Sequence, residues 1–302
     1  MIKSIHRPID VIGVPLDLGA GCKGCRMGPD AVRCAELTAR LRQAGYEVKD
    51  LGNAPADGVD MDTSAIDSEK AKHLLDIVRI NRRLNRMVAA SAANGRFPLA
   101  IGGDHSLAVG TIAGSARHRR IGVIWFDAHG DLNTIQTTPS GNVHGMSLAA
   151  ALGYGHPSLT RLGGRQPKIR PEHVALIGTR SLDAGEEDLI RRLGIRYFSS
   201  RDVNRLGIEE VVRCALELAS NGTEGVHLSL DMDGLDPSDA PGVGTPVSGG
   251  IRLQDAKQAM AVLGESGTVV SADIVEVNPA LDLRSRTATA AVELICALFG
   301  QK

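Results

Sequence analysis

The chain has 302 residues, 34 Lys+Arg against 35 Asp+Glu, a formal net charge of -1 and 43% apolar residues. That length can bury a sizeable core, the balanced charge argues against a general nucleic-acid or anionic-membrane binder, and no apolar run reaches the ~18 residues of a membrane span. Aromatics amount to 3%, too few for extensive stacking on bases or sugars, so the core must be aliphatic. The N-terminal stretch MIKSIHRPIDVIGVP lacks the apolar region of a signal peptide, and a cytoplasmic location is expected. Cys22, Cys25, Cys34, Cys214 and Cys296 have no framework spacing and read as free thiols. Cys22 and Cys25 have the spacing of half a zinc site, but no second pair completes it.

Short apolar, β-branched runs recur at 11–14, 47–51, 98–101, 121–126, 174–177, 195–198, 226–230 and 268–275. Their apolarity is continuous, which predicts strands covered on both faces. After the second run, the polar stretch 53–67 reads as a loop or small insertion. Over 69–94, Leu74, Ile77, Val78, Leu84, Met87 and Val88 form one helical stripe that Asn94-Gly95 stops. The basic residues of 79–86 belong to the solvated or subunit-facing side of that helix. Over 208–221, Val211, Val212, Ala215 and Leu218 repeat the stripe before Asn221-Gly222. Strand–helix alternation predicts an α/β domain with a mostly parallel sheet between helices; periodicity alone leaves a closed barrel as the alternative. Glycine, 35 of 302 residues, lies largely just after the apolar runs, where tight loops leave a sheet. Nothing divides the chain, so one domain over 1–302 is expected.

Four strand ends carry unusual polarity: Leu99 to His105, Ile124 to Asp131, Leu228 to Pro237 and Ser271 to Pro279. In open α/β sheets, ligands bind outside the carboxyl ends of strands. Asp127, His129 and Asp131 are spaced i, i+2, i+4, and Asp231 and Asp233 i, i+2. In extended backbone each set projects to one side. Acids and imidazoles abutting apolar strands are costly unless a cation neutralises them. With His105 the set comprises two His and four Asp, oxygen-rich and free of thiolate, which points to Mn2+ over zinc. Six ligands exceed what one open catalytic ion takes, so two ions sharing carboxylates around a bridging hydroxide fit better. Four carboxylates, two divalent ions and a hydroxide leave one net negative charge, suited to a cationic substrate.

These motifs carry a resemblance. Gly13-Val-Pro, Met27-Gly-Pro29, GGDHS at 102–106, DAHGD at 127–131, SLDMDGLDP at 229–237, GTP at 244–246 and EVNP at 276–279 resemble the ureohydrolase family (arginase, agmatinase and relatives) along essentially the whole chain, with arginases the most similar branch. The resemblance implies a three-layer αβα domain with an open eight-stranded sheet, two Mn2+ per subunit, and a homotrimer or homohexamer. It also implies that His105 and Asp131 complete one metal site, that His129 and Asp233 complete the other, and that Asp127 and Asp231 bridge them. The bridging hydroxide would attack the guanidinium carbon of L-arginine, Asp131 would pass a proton to the leaving amine, and urea and L-ornithine would leave. Glu276 matches the carboxylate that orients the guanidinium, and His144 the proton shuttle at the cleft mouth.

Asn133, Thr138, Ser140 and Asn142 match positions that hydrogen-bond the α-carboxylate without fixed charge. Asp183 and Glu186 match acids that approach the α-amino group, Ser181 stands where a third acid is common, and Thr245 matches a residue near the guanidinium. The alternatives are another ureohydrolase (agmatinase, guanidino-acid hydrolase or formimidoylglutamase) or a non-catalytic arginine-binding regulatory protein, which a missing ligand would have signalled. His6, His73, His118, His156 and His173 have no metal-spaced partners, and His227, inside a strand, reads as a hydrogen-bonded core residue. Arg284 and Arg286 are candidates for a subunit interface.

Overall fold

The structure, a computed structural model, describes residues 7–61 and 68–301. His6 and the end of the polar stretch 53–67 lie outside the described residues. Eight strands form one sheet: β1 (Ile9–Val14), β2 (Val48–Asn53), β3 (Phe97–Gly102), β4 (Gly122–Phe126), β5 (Val174–Thr179), β6 (Arg196–Ser199), β7 (Val226–Asp231) and β8 (Val269–Val275). Their order is β2-β1-β3-β8-β7-β4-β5-β6, every neighbouring pair is parallel, and the sheet is open. The helices are α1 (Gly28–Cys34), α2 (Leu37–Gln43), α3 (Leu74–Ala93), α4 (Ala108–Ser115), α5 (Ser147–Ala151), α6 (Pro157–Thr160), α7 (Ala184–Leu193), α8 (Ser200–Leu206), α9 (Ile208–Ser220), α10 (Leu253–Ser266) and α11 (Arg286–Leu298).

The period of two along each strand builds three layers. Val11, Leu99, Ile101, Ile124 and Phe126 face a core shared with α1, α2, α9, α10 and α11. Ile12, Val14 and Ala100 face the opposite side, against α3 and α4, while Val123 and Trp125 pack there against α4, α5 and α7. The central strands are buried throughout, as continuous apolarity predicts. The edge strands differ. Lys49 and Asp50 of β2 and Arg196 and Tyr197 of β6 are exposed, because an edge strand has no neighbour to cover its outer flank and charge there discourages pairing with another chain.

Helix α3 begins at Leu74, the first residue of its hydrophobic stripe, and so later than the expected range 69–94. His73 takes φ 54°, and the Lys72 amide donates to the Gly141 carbonyl at 2.9 Å instead of entering the helix. On the buried stripe lies Asn81, whose amide donates to Ile77 O and Ser106 O and accepts from Gly110 N, so α3 is tied to the turn that follows β3. Two arginines of 79–86 do more than face solvent: Arg79 donates to Gly58 O, and Arg83 to Pro55 O and Asp57 O, fastening the preceding loop. His227 is fully buried between the Ser271 hydroxyl and the Asp273 carboxylate, at 2.8 and 3.0 Å, as a core histidine should be. All five cysteines are free.

The topology makes β3, β8, β7 and β4 consecutive, so the four polar strand ends open side by side. Close helix–sheet packing supports them. A Cβ on Gly122, the first residue of β4, would lie 1.9 Å from the Ala219 carbonyl of α9. Gly122→Ala must push that helix away and should destabilise by about 2 kcal/mol, lowering the thermal midpoint by about 4 °C or more; an unchanged midpoint in a melting experiment would contradict the close approach.

Candidate metal centre and its cleft

The site begins at the end of β3. Gly102 takes φ 140°, and a Cβ on Gly103 would sit 2.3 Å from the Leu16 carbonyl, so only glycine lets the chain pass under the loop that follows β1. The Asp104 carboxylate then accepts from the Ser106 and Gly19 amides and starts a single 3-10 turn carrying His105. The His105 ring stacks on Trp125, with centroids 4.1 Å apart. Its Nε2 lies 2.8 Å from the Ser229 hydroxyl, which itself donates to Asp273 at 2.6 Å. A hydroxyl that donates to Asp273 accepts from His105, so Nε2 carries the proton and Nδ1 faces the site. Around Nδ1 stand Asp127, Asp131 and Asp231 oxygens at 3.1, 3.1 and 3.0 Å.

Asp127, His129 and Asp131 converge, though not along an extended strand. Strand β4 ends at Phe126 and the backbone bends: the His129 amide donates to Asp127 Oδ1 at 2.7 Å, and Asp131 takes φ 49°. Asp231 ends β7, and Asp233, in the 3-10 turn beyond it, donates its amide to Asp231 Oδ1 at 2.8 Å. The i, i+2 spacing therefore works through carboxylates that cap their own turns. His129 Nδ1 lies 3.1 Å from Asp233 Oδ2 and 3.5 Å from Asp127 Oδ1. Among the described residues, two groups have metal-holding geometry, His105 with Asp127 and Asp131, and Asp127 with His129 and Asp233. Asp127 is common to both.

The electrostatics follow from burying like charges. Burial pushes the Asp231 carboxyl well above its ordinary range, reinforced by Asp233 and Asp127. Asp131 and Asp233 move up for the same reasons, burial first and then the Asp127 charge. Burial also acts on Asp127, but His105 and His129 outweigh it and hold that carboxyl below its usual range. In turn, burial opposes charge on both histidines, yet the surrounding carboxylates push His105 well up and His129 to about 12. Without a cation, the cluster keeps protons in its place.

Glu276 leaves β8 with φ 61°, held by its amide bond to Gly103 O at 2.9 Å. Oε1 accepts from the His105 amide at 2.9 Å and meets His144 Nδ1 at 3.1 Å; Oε2 accepts from the Cys25 thiol at 3.2 Å. Despite burial, these partners, His144 foremost, keep the carboxyl below its ordinary range. Burial opposes charge on His144, but Glu276 raises it to about 9.

Above this floor lies a cleft of about 290 Å³. It is lined by Asn133, Thr138, Ser140, Asn142, His144, Asp183, Glu186 and Thr245, together with His129, Asp131, Asp231 and Asp233. Asn133 donates to Asp183 at 2.7 Å, and Thr245 to Asp233 at 3.1 Å. Glu186 accepts from the Leu132 and Asp183 amides, forming the capping box of α7, and burial raises its carboxyl to about 7. His105, Asp127 and Glu276 lie beneath the lining, within contact of it. The proposed substrate-contacting residues Asn133, Thr138, Ser140, Asn142, Asp183, Glu186 and Thr245 thus border one cavity, with the metal-site residues and Glu276 at or beneath its floor.

Several supporting residues escaped the sequence reading. Ser229 and Asp273 form the relay behind His105, with Thr111 also bonded to Asp273. The visible signal was an aspartate in the middle of an apolar strand. Arg180 clamps the loop beyond β7: its guanidinium donates to the carbonyls of Gly178, Asp233, Gly234, Leu235 and Val247. No local pattern marks it, because its partners are all backbone.

A sequence model of the arginase family matches residues 7–300. The chain is 51% identical over 297 residues to an arginase of Bacillus caldovelox, covering 98% of this chain and 99% of that one. It is 48% identical over 299 residues to an arginase of Bacillus subtilis (strain 168), covering 99% of each. The solved Bacillus caldovelox arginase superposes with a TM-score of 0.94 at 50% identity, covering 98% of this chain and 99% of that one. A solved hypothetical agmatinase from Burkholderia thailandensis is more distant, with a TM-score of 0.75 at 26% identity over 97% and 84% of the two chains. The chain belongs to the arginase family.

Proposed function

We propose that this chain is an arginase, a hydrolase that converts L-arginine to L-ornithine and urea at a centre of two Mn2+ ions. The observation that carries the reading is the cluster of two histidines and four aspartates at the floor of the cleft of about 290 Å³, buried except for the half-buried His129, with Asp127 shared between two ligand groups. The cluster fits the ions. Its donors are carboxylate and imidazole without thiolate, and the buried His105 Nδ1 and Asp131 Oδ2 stand 3.1 Å apart in a geometry that makes no hydrogen bond. His105, Asp127, Asp131 and Asp231 would hold one ion, and Asp127, His129, Asp231 and Asp233 the other. When bound, such a pair lowers the pKa of water towards neutrality and supplies hydroxide as the nucleophile.

The remaining work falls to the chain's own groups. Glu276, kept ionised, holds the planar guanidinium by charge and by a two-oxygen fork. Asp131 accepts a hydrogen bond from the attacking hydroxide, takes up that proton and passes it to the leaving amine as the C–N bond breaks. His144, at the cleft wall, exchanges protons with solvent through its ring nitrogens. Asn133, Thr138, Ser140 and Asn142 hydrogen-bond the α-carboxylate, Asp183 and Glu186 the α-amino group, and Thr245, bonded to Asp233, borders the guanidinium end.

We propose further that one domain spans 1–302, that it forms a homotrimer or homohexamer in the cytoplasm, and that it has no nucleic-acid or membrane partner. The single sheet and the exposed Leu281 and Leu283 support the first two statements, and the free thiols and balanced charge support the others. No helix among the described residues is long and apolar enough to cross a membrane.

A urea-release assay with Mn2+ on L-arginine, agmatine and other guanidino compounds tests the substrate directly. L-arginine should have the highest kcat/KM, and a preference for agmatine would discard the α-carboxylate role of the 133–142 residues. Asp131→Asn keeps the shape of the side chain and loses its charge; kcat should fall by about 100-fold or more, and turnover within a few fold of wild type would remove Asp131 from proton transfer.

A further inference from the structure

The carboxylate end of the cleft is built from neutral side chains, yet a cation stands immediately behind it. Residues 68–72 fold across the loop that carries Thr138, Ser140 and Asn142. The Lys72 amide donates to Gly141 O at 2.9 Å, and Lys70 Nζ reaches Thr138 O at 3.5 Å. The two segments are so close that a Cβ on Gly141, itself at φ 74°, would lie 1.8 Å from the Glu69 carbonyl oxygen. From this strap the half-buried Lys72 side chain donates its Nζ to Asn142 Oδ1 at 3.2 Å. Among the described residues, no carboxylate stands within ion-pair distance of Lys72. Its ammonium therefore has one side-chain partner, and that partner lines the cleft.

Two consequences follow. An amide whose oxygen is engaged by a cation has its orientation fixed, which leaves its NH2 group to serve as a donor elsewhere. A half-buried ammonium with no carboxylate in ion-pair distance among the described residues also favours an anion placed a few ångströms beyond that amide. The same cleft also carries Asp183, bonded to Asn133, and Glu186. The cleft thus combines the Asp183 carboxylate with a cation behind Asn142, the two charges that a zwitterionic amino-acid head group requires.

We propose that Lys72 is a specificity-determining positioning residue: through Asn142 and through its charge, it favours guanidino substrates bearing a carboxylate at the far end over the decarboxylated amine. This rests on the arginine reading above and adds a fixed charge to a subsite whose lining is neutral. The strap that carries Lys72 explains why α3 starts at Leu74: residues 69–73 are used to cover the substrate loop.

The test compares Lys72→Met, which keeps the aliphatic stem, with Lys72→Arg, which keeps the charge, both loaded with Mn2+. For Lys72→Met the KM of L-arginine should rise about five- to tenfold with kcat within about twofold of wild type. The inhibition constant of agmatine, which has no carboxylate, should stay within about twofold. Lys72→Arg should restore the KM of L-arginine to within about twofold. An arginine KM that moves less than twofold in Lys72→Met overturns the inference, as does agmatine weakening in step with arginine or an Arg variant that behaves like the Met variant. A wild type that preferred agmatine would overturn the arginine reading and this inference with it; an arginine-selective wild type with an indifferent Lys72→Met overturns this inference alone.

Discussion

Mutual repulsion among buried carboxylates is the constraint around which this molecule is organised. Asp127, Asp131, Asp231, Asp233 and Glu276 all lie at 5% exposure or less at the ends of adjacent strands. Isolated carboxylates in such surroundings would neutralise, and several together cannot all ionise. The protein alone offers His105 and His129, which is why both imidazoles are driven towards the charged form and Asp231 towards the neutral one. Two divalent cations resolve the conflict more completely than protons do, because each is shared among several oxygens at once.

The rest of the fold holds that unfavourable arrangement in place. The strand order brings β3, β8, β7 and β4 together, so residues far apart in sequence meet without long loops. Carboxylates not aimed at the centre serve the frame: Asp104 caps the turn bearing His105, and Asp273, through Ser229, fixes which His105 nitrogen faces the metal site. Arg180 supplies a permanent positive charge beside the cluster while donating only to backbone carbonyls, tying the Asp233 turn to the loop near Thr245. Among the described residues, two of the six non-glycine positions at positive φ, Asp131 and Glu276, lie at this site, where surrounding packing over-determines a functional geometry.

Much of this was legible in the amino-acid order. Apolar runs overlapped every strand, and on the central strands they are continuous because a doubly covered parallel sheet requires it. The motifs at the strand ends named the cluster, since acids and histidines following apolar runs have few other uses. Other features were hidden for physical reasons. Edge strands β2 and β6 carry charged residues, so only their register against a neighbour reveals one exposed flank. The bend after Phe126 is set by side-chain-to-backbone bonds that spacing cannot distinguish from extended chain. Ser229, Asp273 and Lys72 act on partners 44 to 124 positions away, and long-range pairing leaves no local trace.

The most direct test is calorimetric titration of metal-free protein with Mn2+ near neutral pH, repeated in buffers of different ionisation enthalpy to count protons. Two ions should bind per chain, with protons released as His105 and His129 surrender theirs. Binding of fewer than two ions, or binding without proton release, would contradict a centre built to exchange shared protons for a pair of cations.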